Sequence, residues 1–256
     1  MMSLRGSLKK GQLGFSMPPY APLFPKPPYF YKDATLMIFK YVTSESVARM
    51  VPDLVDLPDP PTAGLVFASY PSSNLGPYDE VVLFLDVIWN GRPLQFGAFL
   101  YVTTDAAMAS GREMGGYPKK IARIEFLSGP DHTAVMERPA GLRICTGTMR
   151  PEERQIPGPN SQKTVGPPPT LVLNYLTLRL IPSPQFGQPP SLLELLETRW
   201  TIDCSEVWTG PGSCQFSGAS ELDPLHWAPV VQPIVCELVK GDIVVDLNLQ
   251  PTETPL

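Results

Sequence analysis

Two consecutive lysines, Lys119 and Lys120, follow Gly115-Gly116-Tyr117-Pro118 and precede an apolar run that begins at Ile121. Glycines and proline together dictate an abrupt turn, and the run after it reads as a strand. Side chains alternate across a strand, so if this one is buried, one lysine of the pair points inward. Desolvation disfavours an ammonium ion, and a neighbouring cation disfavours it further. A cation ~4 Å away contributes on the order of 4 kcal/mol at an effective dielectric near 20. The amine left without its proton is a nucleophile for ketone carbonyls. Spacing alone favours a blander reading, because a lysine pair after a turn usually marks a solvated strand edge.

Other chemistries find less support. The chain has two histidines, His132 and His226, and no H-E-x-x-H, which argues against a His-rich zinc site. Without G-x-S-x-G or G-x-G-x-x-G, a hydrolase triad and a dinucleotide fingerprint lack their usual settings. No metal, flavin, nicotinamide or pyridoxal site is visible, so the expected cofactor set is empty. The cysteines, Cys145, Cys204, Cys214 and Cys236, form no C-x-x-C pair and read as reduced thiols of a cytoplasmic protein. A net charge of -5 argues against nucleic acid, and no apolar run reaches the ~18 residues of a membrane span. The first residues carry Arg5, Lys9 and Lys10 without an apolar core, unlike a secretory signal.

The elements that must position the lysines are mostly strands. Thirty-two prolines in 256 residues cluster at 18–28, 58–61, 151–169 and 182–190, where they suit turns and strand ends. Strands are expected at 35–41, 64–70, 80–89, 94–102, 121–126, 133–137, 142–149, 171–181, 199–207 and 233–246. Asn90-Gly91 signals a tight hairpin between the third and fourth of these. Ser44–Met50 reads as a short helix, as does a stretch capped by Asp105 and running to about Met114. Ser191–Thr198 suits either a helix or the start of the next strand. Residues 1–17 read as a flexible tail, 18–28 as an extended strap, and 151–169 as a loop that either covers a site or crosses freely. The sum is a β-rich α+β fold with one domain over 18–250.

The run Gly111-Arg112-Glu113-Met114-Gly115-Gly116-Tyr117-Pro118-Lys119-Lys120 resembles the lysine-bearing motif of the acetoacetate decarboxylase superfamily. Further segments match in order: Phe24-Pro25, Pro28-Tyr29, Leu142-Arg143, Thr146–Met149, Leu178–Pro182, Trp208–Pro211 and Gly241–Asp246. The resemblance implies a predominantly antiparallel barrel or cone enclosing Lys119, which would form a Schiff base with Lys120 as its activating cation. It also implies a catalytic Glu80, supporting roles for Arg112, Glu113 and Tyr117, an Arg112–Glu113 ion pair holding the turn, and a homo-oligomer. The substrate expected is a small keto acid or ketone, with decarboxylation of a β-keto acid as the default reaction.

Two departures bear on that reaction. The family arginine ahead of the first core strand falls at Ala34, with Lys32 two residues away. The strand expected to carry an acid, Gly64–Tyr70, has none. Aldol, retro-aldol or dehydration chemistry through the same imine is therefore an alternative, and a non-catalytic small-molecule binding module is another.

Overall fold

The computed structural model describes residues 4–127, 129–156, 170–218 and 220–247. The first strand, β1 (Tyr29–Val42), pairs with β2 (Thr62–Tyr70) and carries a short side pairing with β3 (Ser72–Ser73). Next come β4 (Tyr78–Trp89) and β5 (Arg92–Val102), joined by the Asn90-Gly91 hairpin. Both turn residues have positive φ, 51° and 72°, as their sequence predicts for a turn whose twist suits the strands. Helix α1 (Asp105–Gly115) follows, then β6 (Lys119–Ile121), which lies parallel to β5. The chain continues through β7 (Arg123–Leu127), β8 (His132–Glu137), β9 (Arg143–Met149), β10 (Glu153–Ile156), β11 (Thr170–Ile181), β12 (Leu192–Thr209), β13 (Gly212–Phe216) and β14 (Gln232–Asp246).

Seven strands close a barrel in the order β12-β11-β5-β4-β2-β1-β14, with β14 pairing back to β12. A ring with an odd number of strands cannot alternate direction all the way round. Here the parallel pair is β11 with β5, and the other neighbouring pairs of the ring are antiparallel, so the barrel is mixed but predominantly antiparallel, as expected. A separate antiparallel sheet, β13-β9-β8-β7, packs on one side.

Alternation sorts the strand residues into two cores. Tyr31, Ala34, Leu36, Val66, Val82, Leu100, Tyr175, Trp200 and Val239 fill the barrel. Met37, Phe39, Leu65, Val81, Leu83 and Tyr101 face outward and meet Ile124, Met136 and Ile144 of the small sheet. The inward set on β1 shifts from odd to even numbers across a bulge at Lys32-Asp33, where Asp33 has φ 55°.

The sequence reading needs several corrections. The strand expected over 121–126 divides into β6 and β7 around Ala122. The N-cap of α1 is Thr104, while the Asp105 carboxylate accepts the Ala106 N–H at 2.8 Å. Glu45–Met50 forms a 3₁₀ turn, and Ser191–Thr198 enters β12 as strand. Within the expected tail, Lys10–Gln12 forms a turn and Ser16 is buried against Phe24, whose N–H it accepts and whose carbonyl it reaches. Most of the proline-rich loop, 157–169, lies outside the described residues. Among the described residues no helix is long and apolar enough to cross a membrane.

Candidate active site

Lys119 opens β6 opposite Leu100, whose side chain faces the barrel interior, and its own side chain follows. It is 4% exposed. Its stem passes directly over α1 at Gly111, where a Cβ would stand 2.5 Å from Lys119 Cδ and 2.7 Å from Cε. A side chain at position 111 would thus occupy the space of the lysine. Gly116 supplies the left-handed residue that ends α1, φ 63°, and its α-carbon lies against the Arg179 backbone, where a Cβ would come within 2.9 Å. Tyr117 then turns inward and Pro118 leads into the strand. The two glycine positions explain why the turn has this composition: one gives the lysine a path, the other reverses the chain without a side chain.

Glu80, on the inward face of β4, meets the lysine. Its Oε1 is 2.9 Å from Lys119 Nζ, and its residue exposure is 0%. The contact is an ion pair by distance rather than an aligned hydrogen bond. Around it stand aromatic rings. Lys119 Nζ lies 5.7 Å from the ring centres of both Tyr78 and Tyr117, close enough for attraction to their faces. Tyr78 donates to the Tyr31 hydroxyl at 3.1 Å. Trp200 donates through Nε1 to the Tyr117 hydroxyl at 2.7 Å, and Thr198 shares a hydrogen bond with the same hydroxyl. Burial pushes the Tyr70, Tyr78 and Tyr117 phenols up, with the Glu80 carboxylate adding to the effect, so all three are neutral. Below them Tyr117, Tyr175, Trp200 and Val82 line a cavity of about 20 Å³, room for about one water.

Lys120 points the other way. Adjacent strand residues face opposite sides, and Lys120 pairs in register with Tyr101, which faces outward. Its ammonium is 2.9 Å from Asp223 Oδ1, donates to the Leu222 carbonyl and sits 5.9 Å from the Phe99 ring centre. Asp223 is buried, accepts the Tyr101 Oη–H at 3.2 Å and forms an ion pair with Arg138, whose Nε is 3.3 Å away. Backbone alternation thus sets the two lysines on opposite sides of β6, as expected; Lys120, expected as the activating cation beside Lys119, instead pairs with Asp223 and ties the 220–225 loop to the barrel wall.

Arg112 and Glu113 lie exposed on α1. They do not pair with each other as expected; Arg112 Nη1 instead donates to the Lys119 carbonyl at 3.2 Å and fixes the start of β6. Glu113 acts at a distance, where its charge helps keep the Tyr29 phenol up at about 12, mainly a result of burial. Ala34 is fully buried inside the barrel, so a methyl stands at that inward position. Lys32 lies outside, paired with Asp242 at the bulge, and does not take over the place. The inward residues of β2, Val66, Ala68 and Tyr70, include no acid. Sequence reasoning had assigned no role to Tyr31, Tyr78 or Trp200. Tyr78 was within reach of it, standing two residues before Glu80 on the same strand face.

Comparison with known proteins agrees with this architecture. The family model described as acetoacetate decarboxylase (ADC) matches residues 16–249. A decarboxylase from Cochliobolus heterostrophus, Decarboxylase DEC1, is 28% identical over 94% of this chain and 95% of its own. Acetoacetate decarboxylase from Ralstonia nicotianae is 29% identical over 92% and 91%. A solved acetoacetate decarboxylase structure superposes with a TM-score of 0.81 at 22% identity, covering 93% of this chain and 96% of that one. The enduracididine biosynthesis enzyme MppR, complexed with the condensation product of pyruvate and imidazole 4-carboxaldehyde, does so at 0.73 and 17%, covering 93% and 95%.

Proposed function

The chain belongs to the acetoacetate decarboxylase family, and from that premise we propose that it is a cofactor-independent lyase that works through a Lys119 imine, with decarboxylation of a β-keto acid as its default reaction. The observation that carries this reading is the ion pair of Lys119 with Glu80 inside the barrel. Glu80 is the base within reach of the ammonium proton. Once that proton moves, the amine attacks the substrate ketone and forms a carbinolamine, and loss of water gives the iminium ion. The C–CO₂⁻ bond then breaks, its electron pair fills the enamine, and carbon dioxide leaves. A proton returned to the α-carbon restores the iminium, and water releases the ketone and the free lysine. Tyr78 and Tyr117 offer ring faces to the cationic intermediate, and the buried setting strengthens every such interaction. Lys120 enters as a support of the strand, through Asp223.

Borohydride reduction tests this reading. In the presence of a 3-oxo acid or its ketone product, reduction should fix the substrate's mass on Lys119 and inactivate the protein. Absence of an adduct with every 2-oxo and 3-oxo acid tried would remove the proposal.

A second reading keeps the imine and changes the outcome. The buried methyl of Ala34 and the acid-free β2 leave the lumen without the two polar groups that the resemblance assigns to handling a substrate carboxylate. An enamine made there can add to an aldehyde, arise by retro-aldol cleavage, or eliminate water. Carbon dioxide release supports the first reading, and aldehyde consumption or release supports the second. The protein is further proposed to be a homo-oligomer, which size-exclusion chromatography with light scattering would test, and cytoplasmic, which cell fractionation would test.

A further inference from the structure

The barrel opens at the end away from Lys119. The inward faces of β1, β2, β4 and β5 continue past the inner cavity to Lys40, Thr62, Asp86 and Gln95, which line an open cleft of about 480 Å³. That volume suits a small-molecule site. Its polar groups are arranged around Asp86, which pairs with Lys40 at 3.1 Å and accepts a hydrogen bond from Thr62. Gln95 places its side-chain amide there, and among the described residues its Oε1 has no hydrogen-bond donor. A buried amide oxygen without a donor costs free energy until one arrives. The Asp86 carboxylate, still 21% exposed beside it, is the acceptor a ligand meets first, so the cleft favours a ligand end that carries an N–H or O–H.

The cleft and the inner cavity beneath Lys119 are neighbours. Leu173 lines both. On β4, Val82 lines the cavity and Asp86 the cleft, so Phe84, inward and buried, stands between them. Its ring lies across Gly64, where a Cβ would come within 2.2 Å of Cζ, and meets Tyr175 edge-on with ring centres 6.4 Å apart. Phe84 and Leu173 thus form a septum one side chain thick. Beyond it the cavity, about 20 Å³, is too small for a keto acid, so substrate access requires a side chain to move. Among the described residues, Phe24, Leu75 and Ala107 at the Lys119 end pack as part of the same core.

We infer that the cleft is the vestibule to Lys119, that Phe84 is its gate, and that the fitting substrate is an elongated keto compound whose far end carries a hydrogen-bond donor. From Glu80 to Asp86 the strand advances six residues, on the order of 20 Å. A substrate of acetoacetate size at Lys119 cannot reach the cleft's polar groups, whereas an elongated one with an apolar middle passes the Phe84 layer and does. The chemistry at Lys119 rests on the reading above, but the cleft does not.

Two measurements on a Val172→Cys variant decide it. Val172 sits at the cleft rim, 41% exposed, and the four native thiols are buried. First, the rate of borohydride trapping of acetone at Lys119 is compared before and after a bulky maleimide is attached to the new cysteine. A fall of about tenfold or more is expected; an unchanged rate places the entrance elsewhere and overturns the inference. Second, a long-chain primary amide without a ketone should slow maleimide attachment, while acetamide should not. Equal attachment rates would overturn the donor-end assignment whether or not Lys119 forms an imine. Failure of acetone to trap in the unlabelled variant sinks the Schiff-base reading alone, and the amide measurement then decides the cleft. In Phe84→Ala, trapping of a long-chain methyl ketone should rise relative to acetone by about tenfold; no change in that ratio removes Phe84 as the gate.

Discussion

Lys119 Nζ lies 2.9 Å from Glu80 Oε1 inside the barrel, with both side chains withdrawn from water. Removing one member of such a pair leaves an uncompensated buried charge. Lys119→Met and Glu80→Gln should each cost about 3–5 kcal/mol of stability. The double variant should lose less than the two singles combined. Urea unfolding measures all three, and singles that cost under about 1 kcal/mol would mean the pair is solvated.

Gly111 gives a sharper test of geometry. In Gly111→Ala the new methyl competes for the space of Lys119 Cδ and Cε. Alanine raises helix propensity by up to about 1 kcal/mol, while crowding costs about 1–3 kcal/mol. Stability should therefore change little or fall modestly. Borohydride trapping should fall by at least about tenfold, since the lysine is displaced from its path. Trapping at the parental rate would show that the stem has room elsewhere.

Lys120 separates charge from position. Lys120→Met deprives the buried Asp223 of one partner while Arg138 and Tyr101 remain. A stability loss of about 1–3 kcal/mol is expected. The pH dependence of trapping at Lys119 should stay that of the parent, because the two lysines face opposite sides of β6. A moved profile would restore Lys120 as an activating neighbour.

The four cysteines should be silent in the native protein. Burial pushes the Cys214 thiol up to about 12 and raises Cys145, Cys204 and Cys236 as well. The thiolate is the reactive form. A thiol reagent at pH 8 should titrate fewer than one cysteine before denaturation and all four after it.

At the β1 bulge, Lys32 holds the Asp242 carboxyl below its ordinary value, helped by the Asp33 N–H. A depressed carboxyl stabilises the fold above its unfolded value, near ~3.9, and that contribution is lost as pH falls through the folded value. Asp242→Asn should therefore be less stable than the parent at pH 6, and the gap should close in strong acid. Chemical denaturation at the two pH values reads this directly, and a gap that persists in acid would assign the effect to packing.

Much of the fold was legible along the chain. Apolar, β-branched and aromatic runs located the barrel strands, though β1 starts at Tyr29 and β12 at Leu192, well before the expected 35 and 199, and Asn90-Gly91 gave the hairpin, because these signals act between neighbours. Ser191–Thr198 stayed open because its leucines suit either period; pairing with β11 and β14 decides for strand. The division of β6 from β7 was hidden for a similar reason, since Ala122 gives no local sign of a change of sheet.

By itself the sequence determined that Lys119 follows a glycine-rich turn, that consecutive lysines must face opposite ways in a strand, and that no acid stands in β2. Each of these is a property of covalent order and backbone alternation. Which lysine is enclosed was decided by the tertiary structure, as were the carboxylate that meets it and the septum below it. Those depend on closure of β12 onto β14 and on the register of β6 beside β5. Closure brings Glu80, Tyr117 and Trp200 together from distant parts of the chain, and local sequence carries no record of such distances.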